Sequence, residues 1–259
     1  MIKFVLSAVI YGLLFYSPVV AQQQKFVQQG EIEYEKKANV FALIKSSINK
    51  DNEVYMQKYY EQYKTSQPQF VTTKSTLTFS KEQSLFKAAE EDGNPAQTRI
   101  TMMPGVAQIN VVHHNFASGN STIQKTVFEE VFLLKDSTRY IKWKITDETR
   151  TIAGYHCRRA NAIVMDSIYV VAFYSDQIAV SSGPESFTGL PGMILGVALP
   201  HDHISWFATK VTDQTVDPKS LQAPEKGKSV NQKTLKETLQ KAFKQWGQQA
   251  NAYFKFFTL

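Results

Sequence analysis

The residues best equipped for chemistry in this chain are its five histidines and its single cysteine. The histidines fall at His113-His114, at His156 and at His201-Asp202-His203. Residues i and i+2 of an extended segment share a face, so His201 and His203 can reach one metal ion. His113 or His114 would have to approach from a neighbouring strand, and Met102 and Met103 would suit copper(I); zinc is the other metal that imidazoles favour. One histidine pair supplies two ligands where a stable site needs three or four, and Pro200-His201-Asp202-His203 also reads as a polar turn between strands. Metal binding is therefore an alternative that depends on convergence.

Cys157 cannot form an internal disulfide, so folding rests on the core. Arg158 and Arg159 would lower its pKa if they faced it, but in the strand-like run Tyr155-His156-Cys157 a small buried hydrophobe is the commoner meaning. Familiar catalytic patterns are absent: there is no G-x-S-x-G, H-E-x-x-H, phosphate loop, G-x-G-x-x-G or C-x-x-C. The acid pairs Glu129-Glu130 and Asp147-Glu148 are adjacent, which in a strand sends them to opposite faces. A general acid and base must converge, so the expectation is a protein that is not an enzyme.

The elements that must position these residues begin after an address segment. Lys3 precedes an apolar stretch at 4–16, Ser17-Pro18 breaks it, and Val19-Val20-Ala21 places small residues at a cleavage site. The stretch is shorter than the about 20 apolar residues a membrane span needs. Residues 1–21 are expected to be a cleaved signal peptide, leaving an exported protein, periplasmic or secreted, with no transmembrane segment. No cysteine follows the site, so no lipid anchor is expected. The chain has 259 residues, 43% of them hydrophobic and 20% charged, the range of a globular protein rather than a disordered one. Its net charge of +6 comes from scattered lysines, without the clustered basic face that nucleic acid requires.

From residue 22 to 212 the pattern reads as one β-rich domain. Gly30-Glu31-Ile32-Glu33-Tyr34-Glu35 alternates as a first strand. Residues 40–66 form a helical insert, with Ile44, Ile48, Tyr55, Met56, Tyr59, Tyr60 and Tyr63 at helical spacing and a break expected near Asn49-Lys50-Asp51-Asn52. Strands are expected at 71–80, from Ser84, and at 107–116, 123–127, 131–134, 142–146, 160–164, 169–174, 193–199 and 204–211, with Gly119-Asn120-Ser121 as a hairpin turn. Strands at short spacing without intervening helices predict an antiparallel meander. Residues 213–233 read as a polar linker, and 234–259 as a C-terminal amphipathic helix with Leu235, Leu239, Phe243, Trp246 and Phe257 on one stripe. The fold class is thus mainly β (α+β): an open half-barrel or curved antiparallel sheet, one amphipathic helix after the first strand and another at the C-terminus.

One ordered series of features supports a resemblance. Trp143-Lys144-Ile145 is followed by Gly154-Tyr155-His156-Cys157, then Ser182-Gly183-Pro184, then Phe187-Thr188-Gly189-Leu190-Pro191-Gly192-Met193-Ile194. Over residues 72–212 this resembles the GLPGLI family of exported bacterial proteins, with Met193, Phe173 and Gly196 departing from its usual residues. The resemblance implies an envelope protein of Gram-negative bacteria without an assigned activity. More distantly, the strand series is similar to outer-membrane lipoprotein carriers, whose open half-barrel covers helices. Physically, Leu190-Pro191-Gly192-Met193 suits a type II turn, and Gly183-Pro184 another bend.

These readings favour a non-catalytic binding or carrier protein for a lipid or other hydrophobic ligand. The alternatives are an interaction partner of an outer-membrane or envelope protein, using the C-terminal aromatic stripe, and metal capture by the histidines. No cofactor is expected beyond that metal.

Overall fold

The computed structural model describes residues 26–88, 105–106, 110–246 and 249–259. The expected signal peptide, the acidic loop at 90–95 and Met102-Met103 lie outside the described residues. Twelve strands form one open sheet: β1 (Gly30–Asn39), β2 (Phe70–Phe79), β3 (Gln83–Ala88), β4 (Asn110–Asn115), β5 (Asn120–Val127), β6 (Glu130–Ser137), β7 (Lys144–Ile152), β8 (Tyr155–Val164), β9 (Ile168–Ser175), β10 (Met193–Leu199), β11 (Ile204–Asp213) and β12 (Lys228–Val230). Their order is β12-β6-β5-β4-β3-β2-β1-β11-β10-β9-β8-β7. Two antiparallel meanders, β2 to β6 and β7 to β11, are therefore zipped together by β1, which pairs with β2 on one side and β11 on the other.

One face of this sheet is covered, and the strand sequences say why. In β1 Ile32, Tyr34, Lys36 and Ala38 are buried, and in β5 Ser121, Ile123, Lys125 and Val127 are buried, each set at the period-2 spacing of one face. The registers align these sets, pairing Ile32 with Leu77, Leu77 with Phe86, Phe86 with Val112, Val112 with Ile123 and Ile123 with Leu134. The Tyr34 hydroxyl donates to Ile194 O at 2.7 Å, satisfying a polar atom inside this core.

The helical insert is two helices, α1 (Val40–Ser46) and α2 (Glu53–Ser66), parted at the expected place. Asn52 Oδ1 accepts from Asn49 N–H and Asn52 Nδ2 donates to Ser47 O, so the asparagines bond the backbone of the turn that parts them. Val40 and Ile44 anchor α1, whereas in α2 only Tyr63 is fully buried and Tyr55 is exposed.

Three expectations need correction. The C-terminal helix is a pair, α3 (Gln232–Phe243) and α4 (Gln249–Thr258), held by a cluster of Phe128, Phe243, Trp246, Tyr253 and Phe257. Residues 213–231 are not a free linker: Val216 and Leu221 pack on Leu85 on the opposite face, and β12 pairs in parallel with β6. The reversal between β4 and β5 precedes Asn120 and Ser121, which are already in β5; Asn115 Oδ1 accepts from Ser118 N–H, and Gly119 has φ 68°.

The motif segment at 176–192 is an internal strap across the covered face. Ile178, Val180, Ser182, Phe187 and Leu190 are buried, the Ser182 and Ser84 hydroxyls are 2.8 Å apart, and Trp143 Nε1 donates to Thr188 O at 2.8 Å. The bend at Leu190-Pro191-Gly192 is tighter than a type II turn, because Gly192 N–H donates to Leu190 O two residues back. Gly192 has φ 150°, and a Cβ there would lie 2.2 Å from Ser175 O. Gly154 (φ 84°) also has a positive φ, but opens to space. Gly192→Ala should therefore cost at least about 3 kcal/mol in unfolding free energy and Gly154→Ala about 1 kcal/mol, as read by denaturant midpoints.

Candidate functional site

The covered face carries charge where a sheet that merely packs would carry hydrocarbon. Lys36 is 6% exposed and Lys125 is 2% exposed. Both occupy inward positions of strands whose other inward residues are apolar or small, Ile32, Tyr34 and Ala38 for Lys36, and Ser121, Ile123 and Val127 for Lys125. Burial pushes each ammonium down to about 8, with Glu185 pulling back the other way. At neutral pH both lysines are cations inside the fold.

Glu185 comes from the strap, from a residue with φ 53°, a conformation uncommon outside glycine. Asn110 Nδ2 donates to its Oε2 at 2.8 Å. Burial raises the Glu185 carboxyl above its ordinary value, opposed by Lys36, by the Asn110 hydrogen bond and by Lys125. Lys36 also lies 5.3 Å from the centre of the Trp206 ring, a cation–π contact. Lys36, Asn110 and Glu185 line a cavity of ≈ 20 Å³ with Trp206, Phe256 and Leu259, enough for about one water.

Arg139 is the third inward cation; burial lowers its pKa, yet guanidinium stays charged at neutral pH. Its Nη2 donates to Thr258 O at 2.7 Å, at the end of α4 where the helix dipole favours a cation. Two buried lysines thus act on the Glu185 carboxylate, and the half-buried Arg139 lies with Asp136 in the lining of a neighbouring cavity. Two more tethers hold α4: Ser186 Oγ donates to Leu259 O at 2.9 Å, and Lys255 pairs with Asp202.

A second cavity, ≈ 180 Å³, lies beside this cluster. Register builds one wall, because His114 on β4 faces Ser121 on β5, which faces Asp136 on β6. Arg139, Ser137, Ser186 and Gln232 complete its polar lining, with Ile123 and Leu134. His114 is 2% exposed, and neither ring nitrogen has a hydrogen-bond partner among the described residues. Burial, reinforced by His113, pushes its pKa down to about 4, so the ring is neutral and presents one donor and one acceptor.

The other histidines do not join it. His113 points the opposite way from His114 and sits 3.0 Å from Gln83 Oε1. His201 lies in a 3-10 turn, Pro200–Asp202, against the Tyr169 ring, and His203 has φ 55°. The i, i+2 argument requires extended backbone and fails there. Four strands, β3, β2, β1 and β11, separate β4 from β10 in the sheet order. Among the described residues no three His, Cys, Asp or Glu side chains group as a metal site. His156 is exposed, and Cys157 is fully buried, its thiol pushed up to about 11 by burial. Arg159 pairs with Glu148 instead of activating it. Trp143, Gly183, Pro184, Gly189, Leu190, Pro191 and Gly192 all belong to the strap or its anchor, whereas Gly154 and Tyr155 lie at the β7–β8 turn. Lys36 and Lys125 escaped the motif search, although each lay on the apolar register of its strand.

The lysines' folded pKa values lie below 10.5, so between about pH 8 and 10.5 the unfolded chain binds more protons and stability rises with pH. Lys125→Met should raise the unfolding free energy at pH 7 by about 1–3 kcal/mol and flatten that rise. Urea titrations at pH 7 and 10 read both effects.

In comparison with known proteins, a family model described as "Protein of unknown function (Porph_ging)" matches residues 162–196, from β8 through the strap into β10. No curated protein matches the chain. Two crystal forms of PNGF-II are similar at 17% and 16% identity, with TM-scores of 0.49 and 0.47, covering 82% and 81% of this chain. This chain covers only 33% and 32% of those chains. The family-level likeness thus falls on the strap and its flanking strands, within the 72–212 stretch, and it is to a family of unknown function.

Proposed function

We propose that this chain is an exported, non-catalytic binding protein of the cell envelope that takes its ligand on the covered face of the sheet, beneath α3 and α4. The observation that carries this reading is the pair of buried lysines, Lys36 and Lys125, set on the covered face with the half-buried Arg139 and with Glu185 as the counter-charge to the lysines. Buried charges are costly unless compensated, and packing alone is served better by hydrocarbon. A half-barrel closed over by its own C-terminal helices is the form in which this reading works. α3 and α4 meet the sheet through side chains and a few tethers, not through a strand ladder, so they can lift without unpairing it.

The hydrophobic-carrier form of this reading asks for unfilled apolar space. The covered face is instead packed by Phe79, Phe86, Phe132, Phe187 and Leu190, and each of the two cavities beside the charges mixes apolar walls with charged and hydrogen-bonding groups. A ligand that fits has a polar end. A second reading, docking to an envelope protein, draws on the helix-pair rim, where Phe128 and Trp246 are 52% and 43% exposed. Among the described residues no helix is long and apolar enough to cross a membrane.

Native mass spectrometry of the protein, purified from an exporting host without detergent, tests the proposal. An organic adduct lost on denaturation is the expected result. A bare monomer mass contradicts it and favours the partner reading. A metal mass removed by His201→Ala with His203→Ala would replace it with metal capture.

A further inference from the structure

We infer that the cavity walled by His114, Ser121, Arg139 and Ser186 is a binding site for a small hydroxylated organic acid, its carboxylate on Arg139 and its hydroxyls on His114, Ser121 and Ser186. The inference rests on the binding reading above and names the chemistry of its ligand.

Each requirement comes from a wall residue. The guanidinium has five N–H donors, and among the described residues the one hydrogen bond it makes is to Thr258 O. A planar, bidentate oxyanion is its natural partner, and a carboxylate matches that fork. His114 is neutral and 2% exposed, and neither its donor nor its acceptor has a partner among the described residues. Satisfying such a ring takes an acceptor at one nitrogen and a donor at the other, and the hydroxyls of one ligand can supply both. Ser121 and Ser186 supply two more hydroxyls, and Gln232 an amide.

Asp136, the one acid in the lining, does not bar an anion. Gln232 N–H donates to its Oδ2 and Ser137 N–H to its Oδ1, so its charge is engaged at the N-terminus of α3. Those bonds hold its carboxyl below the usual range, keeping it ionised and in place. Lys125, electrostatically coupled to Arg139, adds positive potential behind the guanidinium. Ile123 and Leu134 give the carbon skeleton an apolar floor. Gln232 opens α3, so an occupant touches the helix pair that would have to lift for it to enter.

Glycerate carries both features, acetate only the carboxylate and glycerol only the hydroxyls. The full chain, labelled with ¹⁵N-histidine, is titrated with each at pH 7 while the His114 ring nitrogens are followed. Glycerate should shift them saturably, at a concentration at least about tenfold below that needed for acetate or glycerol. Arg139→Lys keeps the charge but loses the fork, and should erase the preference for glycerate over glycerol. Ser121→Ala, a small change at the wall, should weaken glycerate several-fold with the fold intact by circular dichroism. No saturable shift at tens of millimolar glycerate, or an equal response to acetate and glycerol, overturns the site. If the site fails while the purified protein still holds an organic adduct, the binding reading stands with a different ligand. If both fail, neither does.

Discussion

The arrangement depends on one buried carboxylate. Among the described residues Glu185 is the only acidic side chain whose charge acts on Lys36 and Lys125, and it comes from the strap, not from the sheet. Without it two ammonium groups would stand in the core with little but Asn110 and a Trp206 ring beside them. Removing the shared carboxylate, unlike removing a surplus lysine, costs about 3–5 kcal/mol, a large share of a domain's net stability. The strap must therefore be threaded correctly, and the glycines and prolines of Gly183-Pro184 and Leu190-Pro191-Gly192 serve that threading. A Cβ at Gly183 would lie 2.7 Å from Ile194 Cβ, and one at Gly192 would meet the backbone of Ser175. The motif that stands out in the sequence is thus architectural, and it sets the positions of Glu185 and Ser186.

The same strap links sheet, charges and helices. Ser182 meets Ser84 on β3, Thr188 O meets Trp143, and Ser186 meets the backbone of Leu259. Asp136 at the start of α3 and Arg139 at the end of α4 bracket the helix pair with charges of the sign each helix end favours. These contacts, with the buried side chains of Leu235, Leu239, Phe243 and Phe256, fix the helix pair over the covered face. The side chains that hold the helix pair also wall the cavity beside it.

Much of the fold was legible because one face of the sheet is buried. Period-2 alternation marks most of the strands, and Asn49-Lys50-Asp51-Asn52 marks the break between α1 and α2 through side chains that bond the local backbone. The break between α3 and α4 was hidden, since aromatic spacing runs on through Trp246 to Phe257. β12 was hidden too, being three residues of a polar run recruited by backbone pairing with β6. The histidine argument assumed extended backbone at 201–203, and a 3-10 turn followed by a left-handed residue removes it. The charged site was half legible: Lys36 and Lys125 sit on the apolar phase of their strands, a local conflict of the kind that marks functional positions. Glu185 had no such signal, since only the path of the strap brings it to them.

The central claim is that Lys36 and Lys125 are buried as cations in the core, with Glu185 as their counter-charge. Site-resolved NMR titration of the two ammonium groups in the full chain tests it most directly. The account predicts that both titrate near 8. Midpoints at the ordinary value near 10.5 would place both side chains in solvent and contradict it.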